Sequence, residues 1–462
     1  MSSTFELEHA STRGVSVLGA NDIGQIAIRH DVESPTIEGA NLVDALPPVD
    51  RGRDAWLFLV GSGMLEFFVW GWPYCIGIVH VYWTQEVFKD RSNVEGILTL
   101  AATLQSGLLY LGCGIIAPIY TAYPSYQRII QGFGLTVSAV SIIASAFATE
   151  PWHLIVTTGC MYSFSAALYL PVTSLLFEWF HARRGLAGGL LWACTGLGGS
   201  ILPFVLSGLH GALGYRYSMI VVGLVYASVC ALAMIPVKRR IPLSRFETEG
   251  AHQGERRRPR LDWSFLRAKS TGAGCAVVLL TGMSIFIPTL WIPTFALDLK
   301  VTRLMGTGLI AIMNASSVPG QIALGYMTDR LALRTVILTT CLGAAISCLL
   351  LWGFATNDLL LVLFSMLWGA TGLSSTGFWS KMIAEIAGDD AAVSGMVFAM
   401  FAAIRGVGNL TTGPISNSLL QRSNLRGTLG AFGFMNYGIL ILYTGTLWLV
   451  SALPFCIIPG KL

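Results

Sequence analysis

Twelve apolar runs, each long enough to cross a bilayer as a helix, organise this chain. They fall at 55–82, 96–120, 127–148, 152–176, 185–207 and 217–236, and then at 272–297, 305–327, 333–354, 358–380, 392–418 and 432–456. A hydrocarbon core about 30 Å thick takes about 20 apolar residues per helix. Between the two sets of six lies Lys238–Lys269, KRRIPLSRFETEGAHQGERRRPRLDWSFLRAK, with ten Lys/Arg and four Asp/Glu. Nothing else in the second half of the chain stays polar for so long. The pattern predicts an all-α membrane protein. A tail (1–50) precedes a first six-helix bundle (51–237), a connector loop (238–269) and a second six-helix bundle (270–462).

Composition supports that division. Of 462 residues, 54% are apolar and 12% charged, against about 25% charged in a soluble domain. Runs of 20 or more residues nearly free of charge exclude a soluble helical protein. Residues 1–50 hold eight acids and three prolines, too polar to pack, and are expected to be disordered. The first apolar run starts near Ala55, too late for a cleaved signal peptide. The loops on the connector's side of the membrane carry 16 Lys/Arg and those opposite carry seven. That bias predicts both termini in the cytoplasm, though it leans on the connector. The net charge of +4 clusters beside membrane spans and gives no reason to expect nucleic acid. Nine cysteines all lie in apolar runs without CxxC spacing, so a disulfide frame or metal site is not expected. No GxxxxGK[ST], HExxH or GxSxG signature is present, and no enzyme or cofactor is predicted. The partners implied are the lipid bilayer and a small organic substrate, with a coupling proton as an option.

Two charges stand where charges are costly. Glu66 lies about 11 residues (~16 Å) into the first span, and Arg405 about 13 residues into the eleventh, at a similar depth. An ionisable side chain there costs roughly 2.5–3.5 kcal/mol on insertion scales and is expected to face the protein interior. Two uses of Arg405 compete: to hold an anionic group of the substrate by its planar fork, or to pair structurally with Glu66 or with carbonyls near Pro414. Gly71 and Pro73 break the first span in mid-membrane, beside Trp70, Trp72 and Tyr74. Such breaks suit either a kinked, packed helix or a cavity wall. The fifth span carries Gly185, Gly189 and Ala193 at four-residue spacing, as close helix packing in lipid requires.

Twelve spans in two sixes about a long inner loop resemble the major facilitator superfamily, whose members place substrate between the halves near the midplane. Gly325-Tyr326-Met327-Thr328-Asp329-Arg330 resembles its G-x-x-x-D-R loop motif after the eighth span. The matching loop after the second span, Ala122–Arg128, lacks the acid. By that likeness Asp329 and Arg330, with Arg183 and Arg184, are gating residues, and the fifth and eighth spans abut. The stretch from Phe177 to Gly189, an aromatic group followed by Arg183-Arg184 and then Ala187-Gly188-Gly189, resembles the signature of the monocarboxylate porter family. Trp56, Gly61 and Pro73 in the first span agree with it, and Arg405–Asn409 with Gly413–Ile415 resembles fungal members. The likeness covers residues 55–458. It implies alternating-access transport, with the fourth, seventh and tenth spans lining the cavity through Tyr162, Tyr169, Trp291 and Trp368. Proton-coupled members use a lysine in the first span and an Asp/Arg pair in the eighth. Here those positions hold Tyr74, Asn314 and Val318. The candidate substrate or coupling residues are thus Glu66, Trp70, Tyr74, Tyr162, Tyr169, Trp291, Asn314, Trp368, Arg405 and Asn409. Aromatic and hydroxyl groups suit a medium-sized, partly apolar solute. The expected function is secondary transport of a monocarboxylate or a larger organic acid or secondary metabolite, efflux included, at the plasma membrane. The alternatives are a non-transporting membrane sensor of the same fold and proton-coupled monocarboxylate uptake.

Overall fold

The computed structural model describes residues 46–241, 263–300, 306–388, 390–422 and 429–457, except 77–78, 80–81, 84–86 and 90–93, together with Leu425 and Gly427. Most of the expected tail (1–45) and connector (242–262) lies outside the described residues.

All regular structure among the described residues is helical. In chain order the helices are α1 (Arg53–Cys75), α2 (Val94–Ala122), α3 (Pro124–Ser145), α4 (Pro151–Trp179), α5 (Arg184–Ala233), α6 (Lys269–Asp298), α7 (Gly306–Arg330), α8 (Leu333–Trp352), α9 (Asp358–Ala387), α10 (Ala391–Leu420) and α11 (Tyr437–Phe455). Ten are long and apolar enough to cross a membrane. The exception, α7, has 25 residues but includes Asn314, Ser316, Ser317 and Gln321. In α5, 50 residues would run about 75 Å at 1.5 Å each, more than twice the hydrocarbon core. Its backbone breaks at Gly214 (φ 72°, ψ 172°), between the expected spans at 185–207 and 217–236. Only glycine adopts that conformation without strain.

The expected break in the first span is present. The regular helix ends at Val69 and a tight turn, Trp72–Cys75, carries Pro73. Gly71 lies against α5 so closely that a Cβ there would stand 2.7 Å from the Gly198 Cα.

Two seams of small residues join the first-half helices to the second. In one, α5 meets α7: a Cβ on Gly189 would lie 3.1 Å from the Gly325 Cα, and one on Gly196 2.8 Å from the Asn314 carbonyl. In the other, α2 meets α10: a Cβ on Gly406 would lie 2.9 Å from the Tyr110 Cβ, and one on Gly114 2.8 Å from the Ala403 Cβ. Small residues let backbones approach where lipid supplies no hydrophobic drive between helices. Gly325→Val forces a branched side chain onto α5, and we expect it to cost about 2 kcal/mol or more, read as a lower melting temperature of the purified protein. Gly208→Ala, where a Cβ meets nothing within 4 Å, leaves it unchanged.

Candidate functional site

Arg405 and the two glycines after it build the centre of the site. Gly406 lets α2 come close and Gly408 lets α6 do so, a Cβ on Gly408 standing 2.6 Å from the Gly282 backbone. Tyr110 of α2 and Phe286, one turn beyond Gly282 on α6, are thereby brought over the guanidinium. Their ring centroids lie 5.7 and 5.9 Å from its Cζ, and that of Trp379 from α9 lies 5.5 Å away. Cation–π attraction offsets part of the desolvation of the guanidinium. Arg405 is 5% exposed, and its Nε has no hydrogen-bond partner.

Glu66 is 2% exposed on α1. The Thr195 hydroxyl of α5 donates to Oε1, and Oε2 is unpartnered. The Tyr169 hydroxyl of α4 lies beside this carboxyl without a well-formed hydrogen bond to it. The expected pairing of Glu66 with Arg405 is not an ion pair: no carboxylate among the described residues stands within 4.0 Å of the guanidinium. Instead the phenols of Tyr74 and Tyr110 lie within electrostatic reach of both groups. The two charges thus share aromatic neighbours without forming a pair.

Those aromatics form a continuous wall. Trp70 follows Glu66 by one turn, and its ring lies 4.4 Å from Tyr110 and 5.4 Å from Tyr169. Tyr169 meets Phe398 at 6.2 Å, which meets Trp379 at 6.0 Å and Trp192 at 6.5 Å. The Trp70 indole N–H is buried without a partner, as are both amide atoms of Asn409, one turn from Arg405 on α10. Tyr74 and Asn314 flank Gly199, where a Cβ would stand 2.9 Å from the ring and 3.0 Å from the amide. Asn314 also donates to the Ile310 carbonyl at 3.1 Å.

Three of the expected cavity residues are not shown in this cluster. The Tyr162 hydroxyl donates to the Val69 carbonyl at 2.8 Å, and its ring lies 6.3 Å from Tyr226, which is packing within the first half. Trp368 packs between Phe364 at 6.1 Å and Trp448 at 5.6 Å. Trp291 on α6 is half-buried with an unpartnered indole N–H. The reading of the residues missed Tyr110, Thr195, Phe286 and Trp379. Only the flanking glycines of Arg405 hinted at the neighbours they admit.

At one end of the seam Asp329 accepts hydrogen bonds from the backbone N–H groups of Gly185 (2.7 Å) and Leu186 (2.8 Å). This carboxylate of α7 thus caps the N-terminus of α5, where the helix dipole favours negative charge. Asp50, read from sequence as part of the tail, binds the adjoining loop through the N–H groups of His181, Ala182 and Arg183, at 2.9–3.0 Å. The arginines have other contacts: Arg184 Nε donates to the Phe180 carbonyl at 3.1 Å, and Arg330 lies over Tyr326 at 5.4 Å. Elsewhere, Arg128 of the first half donates to the carbonyls of Met234 and Ile235, and Asp390 of the second half caps its own helix, α10.

A family model described as Major Facilitator Superfamily matches residues 96–408. The chain belongs to the Major Facilitator Superfamily. It is similar to the MFS transporter asaE of Aspergillus flavus, 25% identical over 414 residues and 88% of each chain. It is also similar to the MFS-type transporter pytF of Aspergillus terreus, 29% identical over 290 residues, 62% of this chain and 93% of that one. The aspyridones efflux protein apdF of Emericella nidulans is 24% identical over 378 residues, 81% of this chain and 74% of that one. As a superfamily member the chain is an integral, multi-pass membrane protein and a secondary transporter of small organic molecules, not an enzyme.

Proposed function

We propose that this transporter exports an acidic, partly aromatic organic compound by alternating access. Twelve spans are proposed, in two six-helix bundles, α5 supplying two of them and α7 one. Both termini face the cytoplasm of a plasma-membrane protein. The observation that carries the reading is the buried, carboxylate-free guanidinium of Arg405 under three rings. A cation kept there without a protein anion is provided for an anion that comes and goes, and guanidinium suits carboxylate-like groups by its planar fork. Within the superfamily the likeness of Phe177–Gly189 supports a place among the monocarboxylate porters. At three of that family's charged positions, however, stand Tyr74, Asn314 and Val318, and the first two meet at Gly199. Arg405 takes over the anion-binding role from a different helix, and any coupling proton then uses Glu66. Likeness to an efflux protein, together with the aromatic wall, favours a metabolite-sized cargo over a two- or three-carbon acid.

Under this reading Asp329 closes the cytoplasmic side, and the seam opens there to load substrate. A strain lacking the chain distinguishes export from uptake. Retention of an acidic metabolite inside the cells, with self-toxicity, is expected. Unimpaired secretion combined with poor growth on a carboxylate carbon source would overturn export.

A further inference from the structure

Five residues of the site hold buried polar atoms that nothing among the described residues satisfies. They are Glu66 through Oε2, Trp70 through its indole N–H, Tyr169 through its hydroxyl, Arg405 through Nε, and Asn409 through both amide atoms. Each side chain belongs to a residue less than a tenth exposed. An unpaired buried polar atom costs about 1–3 kcal/mol, and native structures keep few of them. Here they line one path. Glu66 and Trp70 share a face of α1 at i, i+4; Trp70 lies against Tyr110, and Tyr110 against Arg405. Asn409 extends the path by one further turn of α10. One end of the path accepts a hydrogen bond, the other end donates, and the middle is aromatic.

We propose that the cargo has two polar poles: an acidic group held by Arg405 and a hydrogen-bond donor, an amide N–H or hydroxyl, held by the free oxygen of Glu66, with an aromatic body against Trp70 and Tyr110 between them. The proposal rests on the reading of Arg405 given above and adds the second pole. The acid fills the open donor edge of Arg405, and the donor fills the one acceptor that Thr195 leaves free. A carbonyl or ring heteroatom of the same compound suits the Trp70 N–H. A plain aryl acid satisfies one pole and leaves Glu66 Oε2 unpaired. Within electrostatic reach of Glu66 are Tyr74 on α1, Tyr110 and Cys113 on α2, Tyr169 on α4, and Cys194 on α5, with Thr195 of α5 bonded to it. Among these neighbours none is a cation, and the Tyr169 hydroxyl, itself without a partner, is the protein donor that a cargo donor displaces at Oε2.

The test is equilibrium binding to the purified full chain in nanodiscs, with N-acetylphenylalanine, which has acid, ring and amide N–H, and phenylpropionate, which lacks the N–H. N-acetylphenylalanine is expected to bind about 10-fold more tightly, the worth of one hydrogen bond that would otherwise leave an acceptor buried and unpaired. Glu66→Met removes that preference, and Glu66→Gln, which keeps an acceptor oxygen and the side-chain volume, retains part of it. Should Glu66→Met fail to fold, Thr195→Val is the second variant: it frees both oxygens of Glu66, so the preference persists. Equal binding of the two probes in wild type, lost from both in Arg405→Gln, overturns the second pole and leaves the anion site standing. Equal binding in wild type and in Arg405→Gln overturns both, as does failure of N-acetylphenylalanine to bind.

Discussion

Arg405→Met is expected to lower transport of acidic aromatic compounds steeply without destabilising the protein. A charge-assisted contact in a buried site is worth about 1.5–3 kcal/mol, so transport efficiency should fall by up to about 100-fold. Stability is the discriminating readout. Breaking a buried structural ion pair costs about 3–5 kcal/mol, but Arg405 has no such pair among the described residues. Removing an uncompensated cation from beneath three rings therefore leaves the melting temperature unchanged or raises it. Arg405→Lys keeps the charge but loses the planar fork, and an intermediate loss of transport is expected. A parallel fall in stability and transport in Arg405→Met would instead assign Arg405 a structural role.

Asp329→Ala is expected to open the end of the molecule that Asp329 closes. Its carboxylate receives two backbone N–H groups at the start of α5 while belonging to α7, so the cap ties the two halves together. Capping contacts of this kind are worth about 1–2 kcal/mol, which corresponds to a shift of roughly 10-fold between closed and open populations. Among the described residues no other carboxylate caps a helix of the opposite half: Asp390 caps the helix it begins, and Arg128 holds the end of α5 within the first half. The closed state at this end thus depends on one carboxylate between halves. Spin labels at His181 and Leu331, both exposed, report the separation. The variant should populate longer distances than wild type. An unchanged distribution would mean that the glycine seam alone holds this end shut.

What the sequence made legible follows from cost. Long apolar runs can only be satisfied in lipid or a very large core, so the helices begin and end close to their expected places, although among the described residues ten rather than twelve are long and apolar enough to cross, the fifth and sixth runs being joined in α5. Glu66, Arg405 and Asp329 stood out because a charge in such surroundings needs a reason. The depth of a residue follows from counting 1.5 Å per position, which put Glu66 and Arg405 at one level. Counting does not give the direction in which a side chain points relative to a distant helix. The pairing expected of the two charges therefore became an arrangement with Tyr74 and Tyr110 within reach of both. Tyr110, Phe286 and Trp379 were invisible for a similar reason: an aromatic in an apolar run looks the same whether it packs in a bundle, like Trp368, or covers a guanidinium. Asp50 was hidden by its neighbours, because a polar, acid-rich segment reads as solvated until one carboxylate is seen binding three N–H groups.

The position of a bound aromatic carboxylate in a ligand-bound structure bears most directly on the site. Its oxygens are expected at hydrogen-bond distance from Arg405, under the rings of Tyr110, Phe286 and Trp379, with Asp329 free of α5 in a state open at that end. A carboxylate bound elsewhere, with Arg405 turned to a protein acid or a lipid phosphate, would contradict it.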